Sequence, residues 1–202
     1  VKLASLIITI NKSIASGNRI QDILNMPPAM TAPSAPVSAR ESDVAVAFSG
    51  VSLRYYAGAE EALSGIDLTV RRGETVGILG GTGSGKSSLV NLIPRFYDAS
   101  SGTVRVFGAD VRDYPLDELR HKIGVVTQSA ALFTGSVREN IRWGKPDATD
   151  EEIWQALAIA QARTVVEEKG GLDALIEQGG KNLSGGQKQR LTIARAHELR
   201  PD

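Results

Sequence analysis

The chain has 202 residues, 42% of them apolar, with 23 basic and 23 acidic side chains, which is enough for one ordinary domain with a proper core plus an appendage. Balanced charge argues against broad nucleic-acid binding, which needs excess lysine and arginine to neutralise phosphates, and the lack of cysteine excludes a disulfide framework or a thiolate metal site. His121 and His197 are too far apart to form a metal cluster by themselves, and no run of about 18–20 apolar residues is present to span a bilayer.

Residues Val1 to Asn25 read as one helix. Leu3, Leu6, Ile7, Ile10, Ile14, Ile20, Ile23 and Leu24 recur at three-and-four spacing on a single face, and Pro27–Pro28 stop it. The apolar face runs from the first residue without a cap, as in the trailing end of a longer helix; the alternative is an ordinary amphipathic docking helix. Residues 26–43 are rich in Pro, Ala and Ser and read as a linker, which puts a domain boundary there. From Val44 short strands follow. Val46, Phe48, Val51, Leu53 and Tyr55 alternate with a slip at Gly50, and Ile66, Leu68 and Val70 alternate cleanly.

Arg71 to Glu74 form a turn into the most informative stretch, TVGILGGTGSGKSSLVNLI, from Thr75 to Ile93. An apolar strand (Val76, Ile78, Leu79) runs into Gly80, Gly81, Thr82, Gly83, Ser84 and Gly85; Lys86, Ser87 and Ser88 open an apolar helix. The spacing G-x-x-x-x-G-K-S fits Gly80 to Ser87, in the strand–loop–helix context that the motif requires. Glycines let successive backbone N–H groups turn inward around a phosphate chain, and the helix N-terminus aims its positive end at the same place. Lys86 would reach the outer phosphates and the Ser87 hydroxyl would hold Mg²⁺.

Pro94 breaks that helix. Thr103 to Phe107 predict a strand, Leu116 to Lys122 a short helix, and Ile123 to Thr127 a buried strand ending at Gln128. Beyond that point strands vanish, and Ala174 to Glu177 read as a short helix or loop. Thr149-x-x-Glu152 is a capping box for a helix bearing Ile153, Leu157 and Ala160. A second helix spans Arg163 to Lys169 and closes at Gly170–Gly171, and a last one runs from about Gln187 to Leu199. Before the last helix stands L-S-G-G-Q, Leu183 to Gln187: a serine hydroxyl and two glycine amides at a helix N-terminus, a second anion cradle about a hundred residues after the first. Alone it reads more readily as a serine-capped helix. As a cradle it makes sense if two chains lie head to tail, each facing the other's phosphate loop.

In this order the motifs resemble the ATP-binding cassette (ABC) family. GGTGSGKSS is similar to its phosphate loop, LSGGQ to its signature, and Gln128 to its Q-loop glutamine; LFTGSVRENI, IEQGGKN and NLIPRFYD look like exporter-type members. SIASGNRIQDIL resembles the end of an exporter's sixth membrane helix. The likeness covers nearly all of residues 1–202. It implies an α/β chain: a P-loop NTPase core with an antiparallel β subdomain and a helical signature subdomain, preceded by the end of a transmembrane helix. Residues 1–25 would be that helix end, 26–43 the linker and 44–202 the nucleotide-binding domain. Tyr55 would stack on adenine, with Tyr56 as the rival if the register is off by one. Gly80 to Ser88 would hold the phosphates of ATP. Lys86 and Gln128 would act in catalysis, and Ser87 and Gln128 would approach Mg²⁺. Ser184, Gly185, Gly186 and Gln187 would meet the nucleotide bound by a partner cassette. Partners would be that second cassette and a transmembrane domain on the same full-length chain, with no nucleic acid, at the cytoplasmic face of the cell membrane.

Two departures stand out. Ser88 replaces the usual threonine, and His197 follows IARA where an apolar residue is more usual. The family's acidic strand, catalytic glutamate and switch histidine would follow Asp202, so residues 1–202 alone are expected not to hydrolyse ATP. The rival reading is a soluble ABC-type ATPase acting as a switch on nucleic acid or the ribosome, which neutral charge and the helix-plus-linker entry count against. A small-molecule kinase would share the phosphate loop but has no use for LSGGQ.

Overall fold

The computed structural model describes residues 2–26, 30–31, 33, 37, 42–56 and 58–198. The chain divides into two compact units, 1–32 and 33–202. The first contains α1 (Lys2–Leu24), a 23-residue helix as the periodicity predicts. Leu6, Ile7, Ile10, Ile14, Ile20 and Ile23 on it are all exposed. Lys12, Arg19 and Asp22 interrupt its apolar character, and no helix among the described residues is long and apolar enough to cross a membrane. Most of the expected linker lies outside the described residues. Within it, Val37 donates its backbone N–H to the Asp113 carbonyl and packs against the β core of the second unit.

The second unit has two cores. The first is built on a four-stranded antiparallel sheet in the order β2-β1-β3-β4, from β1 (Val44–Leu53), β2 (Leu63–Arg71), β3 (Ser101–Val106) and β4 (Ala109–Asp110). The slip at Gly50 is a bulge: Gly50 takes φ 56° and the register shifts between Phe48 and Val51, so that Phe48, Val51 and Leu53 all face inward. Helix α2 (Lys86–Leu92) lays Leu89 and Leu92 on this core. Helix α3 (Leu116–His121) adds Leu119, and the fully buried Tyr114 donates its hydroxyl to the Val106 carbonyl.

The second core is helical. It gathers α4 (Val137–Arg142), α5 (Asp150–Ile159), α6 (Arg163–Glu168) and α7 (Gly185–Glu198) around Ile141, Ile153, Leu157, Val166 and Leu191. The Thr149–Glu152 capping box forms, with each side chain bonded to the other's backbone N–H. Gly170 and Gly171 end α6 with φ 106° and 88°, conformations open to glycine alone at low cost. A short ladder between β5 (Gly135–Ser136) and β6 (Leu175–Ile176) joins the residues that lead into α4 to the segment after α6.

Four local expectations need correction. Val76–Leu79 and Ile123–Thr127 are not strands among the described residues: neither segment joins a ladder. Their side chains are also less buried than the apolar runs imply, with Leu79 97% exposed and Val126 42% exposed. An apolar run favours burial, but a strand forms only where a neighbour accepts its backbone bonds. Strands do not vanish after Gln128, because β5 and β6 pair. Finally, Leu175–Ile176, read as helix or loop, is one of those strands.

Candidate nucleotide site

The glycine loop is held from both ends. Gly85, the residue before α2, has φ 83°, and a Cβ there would stand 2.6 Å from the Ala62 carbonyl oxygen. A Cβ on Gly80 would meet Ser84 Oγ at 2.6 Å. Lys86 folds over the loop, its Nζ donating to the carbonyls of Gly80 (2.9 Å) and Gly81 (2.6 Å) and to Ser84 Oγ (3.2 Å). Those carbonyls gather the ammonium, and the first amides of α2 lack partners within the helix, as at any helix start.

Two clefts open on either side of Lys86 and Ser87. One, of about 260 Å³, is lined by Tyr55, Ala62 and residues Gly83 to Ser88. The other, of about 400 Å³, is lined by Ile78, Lys86, Ser87, Val90, Asn91 and residues Val125 to Gln128. Tyr55 thus stands on one side of the loop and Gln128 on the other, with Lys86 and Ser87 shared. The Tyr55 hydroxyl lies 2.7 Å from Ser88 Oγ, which links the expected base site to the loop. Tyr56 is 72% exposed and lines neither cleft. Gly80, Gly81 and Thr82 are exposed and line neither cleft.

Ser184 to Gln187 lie apart from both clefts. Ser184 caps α7: its backbone N–H donates to Gln187 Oε1 (2.9 Å) and its hydroxyl accepts from the Gln187 N–H (3.3 Å). Ser184, Gly185 and Gly186 are exposed, and a Cβ on either glycine would meet nothing within 4 Å. The segment before the cap is pinned by Asn182, which accepts from the Glu177 N–H and donates to the Leu175 carbonyl, and by Lys188, which donates to the Gly179 carbonyl. A rigid base under an exposed, unhindered turn leaves room for an approaching group.

Three participants went unnoticed in the sequence. Ala62 seats the loop through its backbone, which leaves no side-chain signal. Tyr97, inside the run NLIPRFYD whose sequence signal is a family likeness alone, packs with its ring perpendicular to that of Tyr55. Arg195 donates to the carbonyls of Ala131 and Asn140 and to Asn140 Oδ1, tying α7 to the segment after Gln128.

The family model described as ABC transporter matches residues 63–202, more than half of the chain. The chain belongs to the ABC transporter family. It is 41% identical over 189 residues to the ATP-dependent lipid A-core flippase of Desulfotalea psychrophila, covering 93% of this chain and 33% of the flippase. It is 37% identical over 202 residues to a multidrug efflux ATP-binding/permease protein of Mycobacterium bovis, covering 100% of this chain and 17% of that protein. A solved structure of a bacterial Atm1-family ABC exporter with ATP bound superposes with a TM-score of 0.86 at 29% identity, over 96% of this chain and 34% of the other. The chain spans about a third of the length of the first curated relatives it matches. Its mixed α/β fold is that of an ABC exporter's nucleotide-binding domain, and nucleotide binding belongs to that domain.

Proposed function

We propose that this chain is the ATP-binding and ATP-hydrolysing part of an ABC exporter, joined through α1 and residues 26–43 to a transmembrane domain at the cytoplasmic face of the cell membrane. Lys86 leaves the Gly80 and Gly81 carbonyls for the outer phosphates of ATP, and loop amides from Gly81 to Ser88 hold the rest. Tyr55 stacks on adenine. Ser87 and Gln128 offer neutral oxygens to one cleft, a donor set suited to a hard cation that keeps most of its other ligands from water and phosphate. Mg²⁺, held there by Ser87 and Gln128, would supply neutralisation of the phosphate charge. Gln128 orients the attacking water, and catalysis consists of positioning and charge stabilisation. Ser184, Gly185, Gly186 and Gln187 meet the nucleotide held by a second cassette, so each loop is half of a site. ATP closes the pair, and hydrolysis reopens it and drives the membrane part between its states.

The observation that carries this reading is the pair of clefts meeting at Lys86 and Ser87, with Tyr55 on one side and Gln128 on the other. In the full-length protein, Lys86→Ala should weaken ATP binding at least tenfold, the loss of a charge-assisted contact of about 1.5–3 kcal/mol. Unchanged affinity would defeat the assignment.

A further inference from the structure

Tyr55 and Tyr97 are both large and nearly half exposed, at 46% and 43%, yet their rings meet with centroids 4.9 Å apart and planes at 86°. Core burial does not explain such a contact. Tyr97 also stands on a heavily built turn. Directly after α2, Arg95 takes φ 51°, a costly conformation for a side chain with a Cβ. Arg95 is 3% exposed, and its guanidinium grips Asp98 twice, Nε to Oδ1 at 2.7 Å and Nη2 to Oδ2 at 3.1 Å, while Nη1 donates to the Arg112 carbonyl. Arg120 then donates to the carbonyls of Pro94 and Arg95 and lies 5.5 Å over the Phe96 ring. An ion pair with a buried partner contributes little net stability, since desolvation offsets attraction, but it does define one geometry. What this geometry presents to the outside is Tyr97.

We propose that Tyr97 is a positioning residue for the nucleotide base, holding the Tyr55 ring in the orientation that stacks on it. Tyr55 has two side-chain torsions to lock. Its hydroxyl, bonded to Ser88 Oγ, restrains the tip, and the Tyr97 ring restrains the rotation about the long axis. The perpendicular planes matter. A base stacked on Tyr55 lies parallel to that ring and therefore perpendicular to Tyr97, so Tyr97 leaves at least one face of Tyr55 open and does not compete for the base. Edge-to-face pairs stabilise through the ring quadrupole, which needs the aromatic ring and not the hydroxyl.

This inference rests on the stacking role proposed above for Tyr55, and the experiment separates the two. Binding of ATP and of inorganic tripolyphosphate is measured calorimetrically on the full-length protein and on Tyr55→Ala, Tyr97→Leu, Tyr97→Phe and Tyr55→Ala/Tyr97→Leu. Tyr97→Leu should weaken ATP about three- to tenfold, the span an aromatic pair supports, and leave tripolyphosphate unchanged. Tyr97→Phe should bind like the parent, and the double variant should be no weaker than Tyr55→Ala. Equal losses for ATP and tripolyphosphate, additive losses in the double variant, or a Tyr97→Phe as weak as Tyr97→Leu would overturn the proposal. If Tyr55→Ala weakens ATP and Tyr97→Leu does not, only this inference fails; if Tyr55→Ala binds ATP normally, the stacking role itself fails.

Discussion

A methyl group on Gly85 would sit 2.6 Å from the carbonyl oxygen of Ala62, so the glycine loop rests directly on the backbone that leads into β2. That backbone is itself closed against the end of β1, because the Ala62 N–H donates to the Leu53 carbonyl at 2.8 Å and Arg54 reaches Glu61 at 2.7 Å. Tyr55 stands in the same closed segment. One contact therefore sets both the height of the loop and the distance from it to the expected base site.

Gly85→Ala should be costly and Gly83→Ala cheap, although the two glycines have nearly the same φ, 83° and 82°. Gly83 has nothing within 4 Å of an added Cβ, so only backbone strain of about 1–2 kcal/mol applies. Gly85→Ala adds the collision with Ala62 and should cost about 2–4 kcal/mol. Denaturant midpoints of the two purified variants test this, and equal losses would mean that the seating is unimportant.

Arg195→Ala removes a side chain bonded to three oxygens, Ala131 O at 2.9 Å, Asn140 O at 2.8 Å and Asn140 Oδ1 at 3.1 Å. Leaving such acceptors part-buried should cost about 2–4 kcal/mol in the helical core. Arg195→Lys should recover little, since one ammonium cannot span the fork of a guanidinium. Thermal unfolding monitored through Trp143, which stacks on Phe133 beside Arg195, reports the effect.

Glu152 gives the helical core an acid limit. Lys145 at 2.6 Å and the Thr149 N–H at 2.7 Å hold its carboxyl down from the ordinary 4.5 to about 2. A carboxyl depressed in the folded state stabilises it fully above pH 4.5, and that contribution fades as the pH falls toward 2. Glu152→Gln should therefore lower stability at neutral pH and flatten the acid-unfolding profile across this window. A variant whose profile parallels the parent's would show that the pair carries no weight.

How far the sequence could be read followed the range of the interaction concerned. Local signals worked: the i, i+3, i+4 stripe of α1, the Thr149–Glu152 box, the glycine pair closing α6 and the bulge at Gly50 all depend on residues a few positions apart. Ser136-x-x-Glu139 carries the same box in front of α4, and the structure forms it, but six residues are too few for periodicity to draw attention to it. Pairing was not legible. Val76–Leu79 and Ile123–Thr127 look like buried strands because they are apolar, and only a neighbour distant in sequence decides whether they become so. The β5–β6 ladder joins residues about forty positions apart through two residues on each side. At the site, spacing pointed to the glycine loop, and the family resemblance to Gln128 and LSGGQ, as candidates, whereas Ala62, Tyr97 and Arg195 make contacts that no motif encodes.

The claim that the glycine loop is half of a site bears most directly on Ser184. Its exposed turn caps α7 away from both clefts, so Ser184→Arg in the full-length protein should leave ATP affinity at the chain's own loop within about twofold of the parent while abolishing ATP hydrolysis, because the bulky cation blocks the approach of a partner's nucleotide. Calorimetric ATP binding and turnover measured on the same preparation decide it. Preserved binding with lost turnover is the predicted result. A Ser184→Arg protein that loses ATP binding as Lys86→Ala does, or that hydrolyses ATP at the parent rate, would contradict the account.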